Sequence, residues 1–223
     1  MIFLSISASQ VFIEHFRSYQ GDANNTITGD SAVGKSSLVH RFVKQQFLEQ
    51  RESTIGAAFI TKTVNLDSST SVKFEIWDTA GQERYKSLAP MYYRNADAAL
   101  VVFDVTDQVS LVRAGKWIQE LRLQAPEGLI VKLIGNKIDL KDKPHSNPVD
   151  EASVREYSQQ EGLEYLECSA KTGDGVTEIF ESIASELPQD KFIVKGLQYE
   201  EPEESTGVID LSTVKEGVKG CNC

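Results

Sequence analysis

Gly29, Gly34, Lys35 and Ser36 fall at the spacing G-x-x-x-x-G-K-[ST]. Glycines let successive backbone N–H groups turn onto phosphate oxygens. A lysine there neutralises charge on the β- and γ-phosphates of a nucleotide, and the serine hydroxyl can ligate Mg²⁺. Taken alone, the four residues also fit a lysine-bearing surface turn. Further along, "WDTAGQE" (Trp77 to Glu83) puts Asp78 just past an alternating apolar run, where a carboxylate can hold a metal's water shell. Gly81 can bring a backbone N–H close to a γ-phosphate, and Gln82, both donor and acceptor, can orient an attacking water.

Two more stretches carry the chemistry of base recognition. "GNKID" (Gly135 to Asp139) begins where an apolar strand ends, the place where open α/β sheets bind ligands. The Asp139 carboxylate can accept from guanine N1–H and the exocyclic amine together. Adenine offers no such pair, so discrimination can reach ~10⁴ or more, and Asn136 with Asp139 argues against an ATPase or a P-loop kinase. "ECSAK" (Glu167 to Lys171) follows the short strand "LEYLE" and can present the Ala170 N–H to guanine O6. Thr54, 18 residues beyond Ser36, is a second candidate Mg²⁺ hydroxyl. Each stretch alone is also an ordinary polar turn. Their order, each after a strand, favours the chemical reading.

The elements that must position these residues are legible in the apolar patterning. "AALVVFDV" and "GLIVKLIG" read as inner parallel strands, and "SVKFEIW" alternates and belongs nearer an edge. Val176, Ile179, Phe180, Ile183, Ala184 and Leu187 make one helical stripe, closed by Pro188; Ala114, Trp117, Ile118 and Leu121 make another. Alternating strands and helices over about 150 residues predict an α/β, doubly wound, mostly parallel sheet with helices on both faces.

Bulk properties narrow the function. The 223 residues suit one domain with tails, and a net charge of −10 argues against nucleic-acid binding. No apolar run reaches the ~18 residues of a membrane span. Met1 to Ser9 lacks a basic residue and is broken by serines, unlike a secretory leader. Three cysteines, Cys168, Cys221 and Cys223, suit a reducing compartment. Beyond Pro188 the chain is acidic and aperiodic, which predicts a flexible tail over 188–223.

With these motifs in hand, the sequence resembles the Ras superfamily, in particular the Rab family of membrane-traffic GTPases. "STIGAAF", "WDTAGQERYKSLAPMYYR" and the terminal "CNC" look most like its early-endosomal, Rab-five-type branch. The resemblance runs from Gly29 to about Leu187 and implies a P-loop G domain with a six-stranded sheet over 29–187. It implies a slow GTP hydrolase cycling between GDP and GTP with Mg²⁺, and no arginine is evident as a built-in finger. By resemblance the nucleotide contacts are Ser31, Ala32, Val33, Gly34, Lys35, Ser36, Ser37, Thr54, Gly81, Asn136, Lys137, Asp139, Ser169, Ala170 and Lys171. Ser36, Thr54 and Asp78 would serve the metal, and Gln82 catalysis. Ile55, Gly56, Phe59, Trp77 and Tyr92 would face effectors.

The resemblance also implies partners and a place. These are an exchange factor, a GTPase-activating protein, a GDI-type prenyl-chain chaperone and endosomal tethering effectors, with no nucleic acid, around a monomer. The expected location is the cytoplasmic face of early endosomes, with a cytosolic pool. Cys221 and Cys223 resemble a doubly geranylgeranylated site; one lipid anchors marginally and two anchor stably.

One segment departs from the family. "QGDANNTIT" (Gln20 to Thr28), where a buried strand should enter the phosphate loop, offers a single large aliphatic, Ile27, among residues that disfavour strands. The composition predicts an atypical or missing first strand and a poorly ordered segment over 1–28. "VFIEHF" (Val11 to Phe16) is apolar enough to fill the slot but lies too far from Gly29 to enter the loop directly. The alternative function that follows is a nucleotide-binding-impaired chain, acting only as a binding competitor or an unstable product.

Overall fold

A computed structural model describes residues 18–68, 70–81, 89–143, 148–188 and 192–195. The two most apolar runs form its inner strands, β4 (Ala98–Asp104) and β5 (Ile130–Asn136), in parallel register from Ala98↔Ile130 to Asp104↔Asn136. The sheet order is β2-β3-β1-β4-β5-β6, with β1 spanning Ser18–Gly29, β2 Ala57–Asn65, β3 Thr70–Thr79 and β6 Glu164–Glu167. All neighbours are parallel except β2, which runs antiparallel to β3. "SVKFEIW" thus lies one strand in from the edge, as its alternation predicts.

Helices cover both faces, as the crossovers of a parallel sheet require. On one side α1 (Lys35–Lys44) and α5 (Val176–Glu186) pack onto Val72, Phe74, Ile76, Leu100 and Val102. The Phe42 and Phe180 rings stack 3.5 Å apart, and Phe74 meets both edge-on at 5.7 and 5.5 Å. On the other side α3 (Gln108–Gln124) and α4 (Glu151–Gln160) bury Ala114, Ile118, Leu121 and Val154 against Val101, Phe103 and Leu133. A short helix, α2 (Ala89–Tyr93), precedes β4. Both predicted helical stripes face the sheet.

The first strand is where sequence expectation left two outcomes open. The expectation was an atypical or missing strand; β1 is a 12-residue strand in the middle of the sheet, so it is the atypical strand that is found. It pairs with β3 from Tyr19↔Thr70 to Ile27↔Asp78 and with β4 from Asn25↔Ala98 to Gly29↔Val102. The physical reason is that ladder bonds belong to the backbone and do not depend on side chains. Asp97 adds a two-way clamp: Asn24 N–H donates to its carboxylate (2.9 Å) and its own N–H donates to Asn24 O (2.7 Å). The composition is atypical, as read. "VFIEHF" lies outside the described residues.

The expected six strands become seven. β7 (Phe192–Lys195) runs antiparallel to Ser18–Gly21 and occupies the side of β1 that β4 leaves uncovered. The segment expected to leave the domain at Pro188 therefore returns to the sheet first.

The polar composition of β1 has a measurable cost. Asn25 is fully buried among Ala23, Ile27 and the α1–α5 core; its amide donates to Ala23 O (2.8 Å) while its Oδ1 has no partner. An unsatisfied buried acceptor costs about 1–3 kcal/mol, and a β-branched residue suits an inner strand. Asn25→Val should therefore stabilise the domain by about 1–3 kcal/mol, read as a higher urea midpoint at unchanged slope.

Candidate functional site

The carboxyl ends of β1, β3, β5 and β6 open onto a cavity of about 560 Å³, the size range of small-ligand sites. Gly29 ends β1, and the chain turns through Asp30 to Gly34 into α1. Gly34 stands at the helix N-cap with φ 95°, a conformation glycine adopts freely. It offers no side-chain oxygen to the first-turn N–H groups, so these donors and the positive end of the helix are left for an anion. A Cβ on Gly34 would lie 2.4 Å from Asn136 Nδ2.

Lys35 is 5% exposed, and its ammonium donates to Gly29 O (2.9 Å) and Asp30 O (2.6 Å). Burial pushes its pKa down to about 8, against the pull of the Asp78 and Asp30 carboxylates. Gly81 packs so closely that a Cβ there would meet Asp30 O at 2.4 Å and Lys35 Nζ at 2.5 Å. Only glycine lets the chain after β3 come this near the phosphate loop.

Three oxygen-bearing residues on separate elements meet beside Lys35. Ser36 Oγ and Thr54 Oγ1 are 2.7 Å apart, and Asp78, at the end of β3, is 2% exposed with Oδ1 unpartnered. Burial raises the Asp78 carboxyl pKa, with Ser36, Lys35 and Arg51 opposing. An orphaned buried carboxylate oxygen next to two hydroxyls is the hard-donor set Mg²⁺ takes together with phosphate oxygens and water. Among the described residues no group of three or more His, Cys, Asp or Glu is placed to hold a metal.

At the other end, Asn136 donates from Nδ2 to Val33 O (2.9 Å) and accepts the Ala170 N–H at Oδ1 (3.0 Å). Lys137, left-handed at φ 73°, sends its ammonium to Ala32 O (2.8 Å) and to Asp104 (2.6 Å). Ser169 Oγ donates to Asp139 Oδ1 (2.6 Å). The predicted residues thus fall in two tiers. Ser31, Ala32, Gly34, Lys35, Ser36, Ser37, Thr54, Gly81, Asn136, Lys137, Asp139, Ala170 and Lys171 line the cavity. Val33, Asp78 and Ser169 are buried behind it and act on the lining through neighbours. Gln82 lies outside the described residues, as do Cys221 and Cys223.

Sequence reading missed three groups. Asp104 is the counter-ion of Lys137; Arg51 donates to Ser36 O (2.9 Å); and Arg41 reaches the Ala170 and Lys171 carbonyls. The single signal for any of them was the apolar run that ends at Asp104. Beside the cavity, Phe59 and Trp77 rings lie 4.9 Å apart and Trp77 and Tyr92 5.4 Å. Phe59 is 50% and Ile55 78% exposed, so the aromatic cluster forms a surface and Trp77 is not wholly absorbed into the core.

Fold and cavity together have the architecture of a P-loop nucleotide site. The Ras family model matches residues 25–189, and the chain belongs to that family. It is similar to the GTP-binding protein ypt5 of Schizosaccharomyces pombe, 58% identical over 162 residues, covering 73% of this chain and 76% of the relative. It is similar, too, to the Ras-related protein Rab5 of Nicotiana tabacum and to RABF2b of Arabidopsis thaliana. Each of those two is 54% identical over 168 residues, covering 75% of this chain and 82% of the relative. The chain is a Rab-type small GTPase that binds GTP and GDP with Mg²⁺ and hydrolyses GTP. Membership brings exchange factors, activating proteins, a GDI-type chaperone and effectors as partner classes. The alternative of a nucleotide-impaired chain is not favoured: it required an absent first strand, and β1 delivers Gly29 to the loop.

If Asp78, Ser36 and Thr54 hold the metal, chelation and Asp78→Ala should act on the same step. EDTA should speed GDP release from the wild type by roughly 10–100-fold, the value of one charge-assisted contact. Asp78→Ala should release GDP fast with or without EDTA, as followed by a fluorescent GDP analogue.

Proposed function

We propose that the cavity holds one guanine nucleotide with its phosphates over Ser31 to Ser37 and its base between Asn136, Asp139 and Ala170. The observation that carries this reading is the pairing of an uncapped α1 N-terminus at one end with Asp139, tied down by Ser169, at the other. Lys35 neutralises the β- and γ-phosphates, and the helix N–H groups accept the remaining charge. Ser36, Thr54 and, through water, Asp78 would hold Mg²⁺, which would supply neutralisation of phosphate charge. Gln82 orients a water whose oxygen bonds to the γ-phosphorus as the bond to the β–γ bridging oxygen breaks; the bridging oxygen stays with GDP, and the attacking water's proton passes to the released phosphate. Hydrolysis is slow because no arginine is evident as a built-in finger to stabilise transition-state charge, and an activating protein can add ~10³–10⁵-fold.

The chain in this reading is an endosomal transport switch. Its relatives carry the names ypt5, Rab5 and RABF2b, and the Rab-five-type motifs support the cytoplasmic face of early endosomes as its working membrane. The surface of Ile55, Gly56, Phe59, Trp77 and Tyr92, of which Ile55 and Phe59 are exposed, takes tethering effectors and the exchange factor. Cys221 and Cys223 carry two prenyl lipids, which the GDI-type chaperone shields in the cytosol. The acidic stretch with Glu200, Glu201, Glu203 and Glu204 adds no electrostatic attraction to anionic lipid, so both lipids are needed.

Extraction of the purified chain followed by chromatography should yield one GDP per protein; an empty protein that stays empty with excess GTP and Mg²⁺ defeats the proposal. Gln82→Leu should slow single-turnover GTP cleavage roughly tenfold or more while GTP binding is kept. Cys221→Ser should move the protein from membranes to cytosol in fractionated cells.

A further inference from the structure

Asp104 ends β4 opposite Asn136 in the parallel register, which brings it beside the residue that follows β5, Lys137. The Lys137 ammonium donates to Asp104 Oδ2 (2.6 Å) and to Ala32 O in the phosphate loop (2.8 Å). The other carboxylate oxygen, Oδ1, accepts the Thr106 N–H (2.9 Å) and the Thr106 hydroxyl (2.7 Å). One oxygen is thus fixed to the turn after β4, and the other holds the cation. The Asp104 side chain is 13% exposed and that of Lys137 30%. Burial works to raise the Asp104 pKa, but Lys137 and Thr106 outweigh it and hold the carboxyl below its ordinary value.

The bond from Lys137 to Ala32 joins two residues that are left-handed without being glycine, at φ 73° and 64°. Such a backbone persists where its surroundings hold it. Both residues line the cavity, and Lys137 Cε lies 3.9 Å from where a Cβ on Gly34 would stand. The ammonium takes the Ala32 carbonyl, and the Asn136 amide takes the next one, Val33 O (2.9 Å). A peptide unit is planar, so holding these carbonyls orients two consecutive units of the phosphate loop, Ala32–Val33 and Val33–Gly34. An ammonium has three donors, so its two acceptors do not compete. A lysine is also a point charge on a flexible four-carbon stem. Without Asp104 the ammonium is free to swing toward solvent, and the Ala32 carbonyl loses its hold.

We infer that Asp104 is a positioning residue for nucleotide retention: by fixing the Lys137 ammonium it keeps Ala32 and the phosphate loop in the shape that grips the ligand. The inference rests on a guanine nucleotide occupying the cavity as proposed above. It puts no contact between Asp104 and the nucleotide.

The test follows release and rebinding of a fluorescent GDP analogue by the wild type, Asp104→Asn, Lys137→Met and the double variant. Asparagine has the shape of aspartate and can still accept from Thr106, but it carries no charge to hold the ammonium. Asp104→Asn should speed release roughly tenfold, the value of one charged hydrogen bond, with the association rate little changed. In the Lys137→Met background it should add no further acceleration, because the cation it acts through is gone. Glu186→Gln is the control for a merely structural effect. It removes a bond to the buried Lys132, near the other end of β5, and should lower the urea midpoint while leaving release unchanged. Unchanged release in Asp104→Asn, equal acceleration with and without Lys137, or acceleration by Glu186→Gln in step with its lost stability overturns the inference. GDP bound by the wild type would still uphold the functional reading. If Lys137→Met cannot be loaded, Asp104→Asn against Glu186→Gln decides alone. A wild type that takes up no GDP overturns both.

Discussion

The geometry of the pocket depends on one buried amide. Asn136, 1% exposed at the end of β5, is the donor to Val33 O in the phosphate loop and the acceptor for Ala170 N–H in the base loop. A primary amide has separate donor and acceptor ends, and here each end is spent on a different loop. Cys168, packed beneath, directs its Sγ to the same Oδ1 at 3.6 Å. Truncating this side chain would leave a carbonyl and an N–H without partners in a buried place, each worth about 1–3 kcal/mol. Lys137 repeats the connection one residue on, reaching Ala32 O through a left-handed backbone turn. The phosphate and base ends of the pocket are therefore one mechanical unit, hung on the end of β5.

The same unit explains how a polar first strand is tolerated. β1 pairs with β3 along most of its length and on its other side with β7 at Ser18–Gly21 and β4 at Asn25–Gly29, and these ladders do not depend on its side chains. Ala23 and Ile27 fill the core face on either side of Asn25, and Thr79 Oγ donates to Ile27 O (2.7 Å) near the strand's end. On the opposite face Thr26 and Thr28 are buried, and the Asn24 amide donates to Asn95 O (3.1 Å). The unpartnered oxygens of Asn24 and Asn25 are the residue of this compromise. They sit well away from Gly29, while the last residues of the strand are held by β4 and by Lys35, whose ammonium grips the Gly29 carbonyl. The loop is thus aimed from its own side as well as by the strand that enters it.

Most of the site was legible because its chemistry is local. Gly34, Lys35 and Ser36 act from adjacent positions at a helix start, and "GNKID" sets Asn136, Lys137 and Asp139 within one turn after a strand. Spacing alone then places their groups. Whether β1 was atypical or missing was left open because composition speaks for side-chain burial and says nothing of the neighbours that supply ladder bonds; those neighbours, β3 and β4, lie far along the chain. Return of the chain as β7 was illegible for the same reason: four residues gain a strand only because Ser18–Gly21 presents an uncovered edge. Arg41 was missed because "SLVHRFVK" reads as an amphipathic helix whose polar residues face water, and its partners are carbonyls about 130 residues distant.

A contrast in anchoring follows from these bonds and bears on switching. The base end is held by side chains from α1, β5 and the base loop itself, all satisfied within the protein. Around Thr54 the links among the described residues are Ser36 Oγ to Thr54, Arg51 to Ser36 O, and Ala80 N–H to Gly56 O (2.8 Å). Residues 51–53 and 55 are exposed, so little apolar burial adds to those bonds. Gly56 and Ala80 join the Thr54 loop to the stretch that begins at Asp78, and from their junction β2 and β3 carry Phe59 and Trp77 side by side. In the proposed cycle a γ-phosphate and its metal would pull on Thr54 and on Gly81 together, on either side of that one bond. A rigid base end keeps the nucleotide in place while the weakly tied end is free to respond. The aromatic surface is rooted in the strands on which both loops converge, so in the proposed cycle it would be where the difference between GTP and GDP is read.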